Sequence, residues 1–231
     1  IAFWREQGKK QGQVGGALRL QLDLTAQATY EDAQKAAVEV ATQLALGDIP
    51  AESLPKAIED RLGVLVLNVD MPPGVSGAAC QLPGSNTILI NRQEPEGRRN
   101  FDLAHELFHV LTWHALPPKR VDRGDKNTGY KDKHIERLAD SFASALLMPA
   151  EKIRQAWIHL GERNIPTVDA IRSIAQRYRV SGVAVKWRLV ALGLLSKPDT
   201  TDFDDQQLVM PAGNPTALFS RTFVERAGRS S

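Results

Sequence analysis

Cysteine is nearly absent: Cys80 stands alone in 231 residues, which excludes an intramolecular disulfide. Packing must therefore hold the fold, and a reducing, cytoplasmic setting is the natural reading. No apolar run approaches the roughly eighteen residues of a membrane span, so no membrane partner is expected. The start, Ile1-Ala2-Phe3-Trp4-Arg5, lacks the charged-then-apolar build of a signal peptide. It also lacks a Met, and the expectation is a fragment of a longer chain. Charge of one sign is scarce too. A net charge of +2 excludes a global polycation. No internal repeat or low-complexity tract stands out. What remains is a chain with 42% hydrophobic residues, suited to one medium domain or a domain with a small appendage.

The most informative stretch is His105-Glu106-Leu107-Phe108-His109, an H-E-x-x-H motif. Around it Phe101, Leu103, Ala104, Leu107, Phe108, Leu111 and Thr112 recur at helical spacing. Residues four apart share a helix face, so the two imidazoles can grip one metal ion, with Glu106 beside it as a general base. Three fixed residues recur by chance in chains of this length, so the context has to carry the reading. The bland alternative is a surface helix with two histidines on its polar face, which predicts nothing special downstream.

Downstream, His134 to Pro149 forms a second helical pattern, with Leu138, Phe142, Ala145 and Leu146 on its apolar face and Pro149 ending it. Glu136 and Asp140 share another face. A catalytic zinc site has three protein ligands and one open position, and His105, His109 and Glu136 supply a His₂Glu set. Asp140 is placed to accept a hydrogen bond from the non-ligating nitrogen of one histidine. The competing account makes Glu136 and Asp140 ordinary helix N-terminal acids complementing the dipole.

Phe101-x-x-Ala104-His105-Glu106-x-x-His109, followed by Glu136-x-x-Ala139-Asp140-x-Phe142-Ala143-x-x-Leu146-Leu147-Met148-Pro149, resembles the ImmA/IrrE family of bacterial metallopeptidases over about Tyr30 to Leu195. The resemblance implies a cytoplasmic endopeptidase with one catalytic zinc ion on His105, His109 and Glu136, and Glu106 as catalytic acid/base. It implies a helix-turn-helix repressor of the Xre type as substrate, whose cleavage switches on stress, phage-defence or mobile-element genes. Members often carry an N-terminal Xre-type domain, which is expected to be missing here. Resemblance to damage-responsive members makes single-stranded DNA a candidate activator.

Residues 1–29, rich in Gly and Gln, read as a linker or extended arm. The metallopeptidase domain is expected over 30–150. It begins with a helix from Tyr30 to Leu46 stopped by Gly47, and a second helix capped by Ser53 and running to Leu62, with Pro55 in its first turn. Val64–Val69, Ser76–Leu82 and Thr87–Asn91 are candidate strands separated by Pro- and Gly-containing turns. Strands followed by the two motif helices give an α+β fold: a zincin-like domain in which a sheet edge lies beside the metal and pairs with a substrate strand. Residues 151–197 read as a helix-turn-helix-like region, with Thr167 capping its first helix. Nine basic residues there outnumber three acidic ones, an excess able to contact phosphates or simply to form a solvated helical face. The tail, 198–231, has no role assigned.

Smaller expectations remain. Tyr130 and His134 precede Glu136 and are candidate transition-state donors, against a plainer reading as loop residues. Cys80, in the middle candidate strand, is a candidate regulatory thiolate filling the open zinc position; the plainer reading is a small buried apolar residue. His114 and His159 read as surface residues. Two other functions compete with the repressor protease. One is a DNA-binding transcription regulator with a structural metal site, which has no need of Glu106. The other is a housekeeping peptidase, which would cleave unfolded proteins broadly.

Overall fold

The computed structural model describes residues 20–82, 85–117 and 130–209. Helix α1 (Tyr30–Gln43) opens on a reciprocal cap. The Thr29 side chain accepts the Asp32 N–H at 3.1 Å, and the Asp32 carboxylate accepts the Thr29 N–H at 2.9 Å. Its buried face is small, with Ala33, Ala36, Ala37 and Val40, which lets another helix approach closely. The helix ends before the predicted Gly47 stop. Leu46 donates its N–H to Ala41 at 3.1 Å while Ala45 takes a left-handed φ of 47°, closing the C-terminus two residues early. Helix α2 (Pro50–Ala57) also departs from expectation. Pro50 takes the N-terminal position, and Ser53 lies inside the helix, its hydroxyl donating to the Leu46 carbonyl at 2.6 Å. A π turn (Ile58–Leu62) carries the chain to Gly63, whose φ of 65° ends it.

The expected strands form one sheet: β1 (Leu65–Val69), β2 (Gly77–Leu82) and β3 (Ser85–Asn91), in the order β1-β3-β2. β1 runs parallel to β3, and β2 antiparallel to it. The last strand in sequence is thus central, and β2, the middle one in sequence, lies at an edge. Val66, Ile88 and Ile90 alternate onto a buried face, while Leu65, Leu67 and Leu89 on the other face are only half-buried.

Helix α3 (Glu96–Leu111) covers β2 and β3, and α4 (Tyr130–Leu147) packs between α1 and α3. Phe108 and Phe142, both fully buried, meet with ring centroids 5.5 Å apart and join the two helices. Helices α5 (Ala150–Glu162), α6 (Thr167–Tyr178) and α7 (Gly182–Ala191) follow. Pro149 is the residue before α5, and Pro166, rather than Thr167, precedes α6. The buried residues form one cluster running from Leu22 to Leu208, so the 151–197 stretch shares its core with the sheet and the motif helices. Part of the N-terminal arm belongs to that core as well. Leu22 and Ala28 are buried, and the Leu22 N–H satisfies the Leu111 carbonyl at the end of α3 at 2.9 Å.

Helices α6 and α7 follow one another around a short turn in which Arg179, not a glycine, takes the left-handed conformation (φ 54°). The second helix does not stand clear of the body. Arg188 is buried, its Nε donating to the Met148 carbonyl at 3.0 Å and its Nη1 to the Gln34 side chain at 3.2 Å. Lys186 is also buried, paired with Asp205 and set against the Trp187 ring at 4.9 Å. Lys152 pairs with Asp48 at 2.9 Å, and Arg179 with Glu52 and Glu96 at 3.1 and 3.4 Å. Two of the nine basic residues, Lys186 and Arg188, are therefore spent inside the molecule, while Lys152, Arg163, Arg172, Arg177, Arg179 and Lys197 stay exposed. The first part of the tail, with two 3₁₀ turns (Pro198–Thr201 and Asp205–Leu208), folds over this pair and buries Leu208. Residues 210–231 and 1–19 lie outside the described residues. Among the described residues no helix is long and apolar enough to cross a membrane.

Candidate metal centre

Helix α3 places Asp102, His105, Glu106 and His109 along one side, because its opposite side is committed to the core through Leu103, Ala104, Leu107, Phe108 and Leu111. Helix α4 faces that side across the Phe108–Phe142 contact and presents Glu136 and Asp140, one turn apart and both exposed. The structure brings His105, His109 and Glu136 together, with one potential ligand atom from each within 4.8 Å of the others.

The spacing of those atoms tests whether a metal fits. His105 Nε2 lies 3.1 Å from Glu136 Oε2, His109 Nε2 lies 3.2 Å from His105 Nε2, and His109 Nε2 lies 3.6 Å from Glu136 Oε1. Ligands about 2.0–2.1 Å from a tetrahedral ion stand about 3.4 Å from one another. The two imidazole nitrogens and the Glu136 carboxylate, which turns one oxygen to each histidine, therefore cluster at separations close to those of ligands around one ion. Two imidazole nitrogens pointed at each other gain little alone, since at most one proton can sit between them. Behind the cluster, Asp140 Oδ1 is 3.0 Å from His105 Nδ1 and accepts its proton, leaving the Nε2 lone pair turned inward. His109 Nδ1 is buried without a partner among the described residues.

The electrostatics say the same. Burial alone would lower the His105 pKa, but hydrogen bonds to Asp140 and Glu136 outweigh it and raise it to about 10. Hydrogen bonds from His105 and His109 hold the Glu136 carboxyl well below the usual range. The cluster thus draws a cation strongly, and a proton on His105 stands in for one. Glu106 behaves differently. Burial raises its pKa, opposed mainly by His105 and His109, and the Ala79 backbone N–H steadies its charged form. On the same side, Asp102 is buried beside Arg98, and desolvation raises its pKa to about 6 against the pull of Arg98 and His105.

The remaining expected site residues are elsewhere. His134 Nε2 is 3.0 Å from the Ala28 carbonyl and its ring leans on Tyr30 at 5.7 Å, tying the start of α4 to the arm before α1. The Tyr130 side chain lies outside the described residues. Cys80 is not in the metal-ligating group. It pairs across the sheet with Thr87, and alternation directs it to the face opposite Gly77, the residue that borders Glu106. Burial, with the Glu106 charge adding to it, raises its thiol pKa and disfavours the thiolate. His114 and His159 are exposed. Sequence reasoning missed Gly77, Ala79 and Asp102. A glycine inside a strand is a recognised sign of close backbone approach; an alanine acting through its N–H leaves no sign at all.

The sequence matches the family described as the IrrE N-terminal-like domain over residues 59–190. It is 35% identical over 120 residues to the radiation response metalloprotease IrrE of Deinococcus deserti, a match covering 52% of this chain and 41% of that protein. Among solved structures, a Mycobacterium tuberculosis transcriptional regulator matches with a TM-score of 0.49 at 22% identity, covering 69% of this chain and 55% of that one.

Proposed function

Because the chain belongs to the IrrE N-terminal-like domain family of peptidases, we propose that it is a cytoplasmic zinc metalloendopeptidase whose substrate is a helix-turn-helix repressor. The observation that carries the metalloenzyme reading is the close clustering of His105 Nε2, His109 Nε2 and the Glu136 carboxylate, with a half-buried carboxylate, Glu106, at their side. A divalent ion held there supplies a Lewis acid that acidifies water and polarises the scissile carbonyl.

The protein's own residues do the rest. Glu106 accepts a proton from the attacking water on its carboxylate and returns it to the leaving amide nitrogen, a role suited to a carboxyl whose pKa burial has raised. Asp140 holds His105 in the tautomer that keeps Nε2 inward. The β2 edge receives the substrate backbone. The Asn91 N–H bonds the Ser76 carbonyl at 2.8 Å, so the alternating residues Gly77, Ala79 and Gln81 turn their backbone groups away from β3. An extended substrate segment can add there as a further strand beside Glu106.

The repressor substrate rests on the family resemblance, as does single-stranded DNA as an activator. The test is cleavage of the helix-turn-helix repressor encoded beside this gene, with and without single-stranded DNA, against Glu106→Gln. A single DNA-dependent cut that the variant lacks is the expected result. Cleavage retained by Glu106→Gln would overturn the mechanism. An intact repressor with zinc bound would favour another substrate, or a DNA-binding regulator with a structural metal.

A further inference from the structure

Gly77 sits in β2 at the point where α3 passes closest. A Cβ built on it would lie 3.0 Å from Glu106 Cγ, 3.2 Å from Glu106 Oε1 and 3.3 Å from Ile90 Cδ1. Two of these three neighbours are the proposed proton carrier itself. Two residues on, the Ala79 N–H steadies the charged carboxylate of Glu106 from the open edge of the strand. The Glu106 side chain therefore lies against bare backbone, in room that the missing side chain at 77 leaves open. A glycine within a strand weakens it, since it gives up side-chain packing and backbone order. No positive φ is recorded at Gly77, so the backbone conformation there does not call for glycine.

We infer that Gly77 is a positioning residue for the proposed catalytic step: its missing side chain lets Glu106 rest against the backbone of the β2 edge. This rests on the reading of Glu106 as the general base. A methyl group at 77 pushes the carboxylate a few tenths of an ångström off the edge. None of the three atoms nearest a Cβ at 77 belongs to His105, His109 or Glu136, so metal affinity should be left alone. Small displacements of a reacting group carry large rate penalties, about a hundredfold for about 1 Å.

Two measurements test it. The first needs no substrate: melting temperatures of the metal-free protein with Gly77→Ala, Glu106→Ala and both. Gly77→Ala should lower the melting temperature by about 3–8 °C when Glu106 is present. With Glu106→Ala in place it should have no effect or a slight rise, because alanine suits a strand better than glycine. Equal losses in both backgrounds would overturn the contact. The second is cleavage of the repressor used above. Gly77→Ala should reduce kcat about tenfold while KM and zinc affinity stay within about twofold. An unchanged kcat would overturn the positioning role. If Glu106→Gln still cleaves, the general-base reading fails instead, and the melting cycle still decides whether Gly77 makes the room for Glu106.

Discussion

Replacing Asp140 by alanine should weaken zinc binding about tenfold and leave the fold intact. Asp140 touches no metal position. It accepts the Nδ1 proton of His105 at 3.0 Å, and that bond fixes both the tautomer and the ring plane that present Nε2 to Glu136 and His109. Losing such an outer partner costs about 10–100-fold in metal affinity. The Asp140 side chain is 58% exposed, so water can take over part of its role and the loss should fall at the lower end, about tenfold or about 1.4 kcal/mol. Asp140→Asn keeps an acceptor oxygen at the same reach and should lose about threefold or less. Glu136→Gln removes a ligand atom and should lose far more than either. A competition titration with a chromophoric zinc chelator measures all three. The same bond leaves a calorimetric trace. Hydrogen bonds to Asp140 and Glu136 keep His105 protonated up to about pH 10 in the metal-free protein, so zinc binding at pH 7 must expel about one proton. Asp140→Ala should reduce that release, read from binding enthalpies in buffers of different ionisation heat. Unchanged zinc affinity in Asp140→Ala, or equal losses in the alanine and asparagine variants, would refute the argument.

Gly97→Ala should destabilise the protein by about 3 kcal/mol or more, a drop of about 6–12 °C in melting temperature. The added Cβ would lie 2.5 Å from the Val180 carbonyl carbon and 2.7 Å from the Ser181 nitrogen, where backbone faces backbone and neither side can rotate away. A melting temperature within about 2 °C of the parent would show that the approach of α3 to the α6–α7 turn is looser than this. Asp102→Asn should do the opposite above neutrality. Burial raises the Asp102 pKa from 3.8 to about 6, so between those values the folded state binds the proton more readily than the unfolded chain. Stability therefore falls as pH rises through that window, and the full penalty, at most about 3 kcal/mol, is present above it. The variant should gain about 1–3 kcal/mol at pH 8 and nothing below pH 4 in urea titrations of the metal-free protein. A loss at pH 8 would show that the Arg98 pair outweighs desolvation.

The two motif helices were legible because their chemistry and their packing share one periodicity. His105 and His109 repeat at the interval that also sets Leu103, Leu107 and Leu111 on the far side of α3. The strands were legible as runs, but not their order, since nothing local tells Thr87–Asn91 that it will lie between its two predecessors. Helix ends were missed where tertiary context supplied the cap. Ala45 took a left-handed turn that Gly47 was expected to provide, and Ser53 spent its hydroxyl on Leu46. Two cations of the basic stretch 151–197 were unreadable for a related reason. Lys186 and Arg188 look like surface cations in a string of letters, and only Asp205, the Met148 carbonyl and Gln34, remote in sequence, take them inside. Cys80 was legible as a strand residue but not by face, because a slip of one residue exchanges the two sides of a strand.

The candidate site draws on two supports that fail separately. His105, His109 and Glu136 are held by the α3–α4 contact through Phe108 and Phe142 on the buried side of both helices. Glu106, on the same helix, is steadied instead from β2, whose position depends on its ladder with β3. Metal affinity should therefore follow the helix pair, and the placement of the proton carrier should follow the strand. A metal-only site would have no use for the second support. Glycine at 77 weakens the edge strand and leaves a gap where a side chain would pack, and neither effect helps hold an ion. That the space is filled by the side chain of Glu106, the one motif residue outside the ligand cluster, favours a hydrolase over a structural metal site.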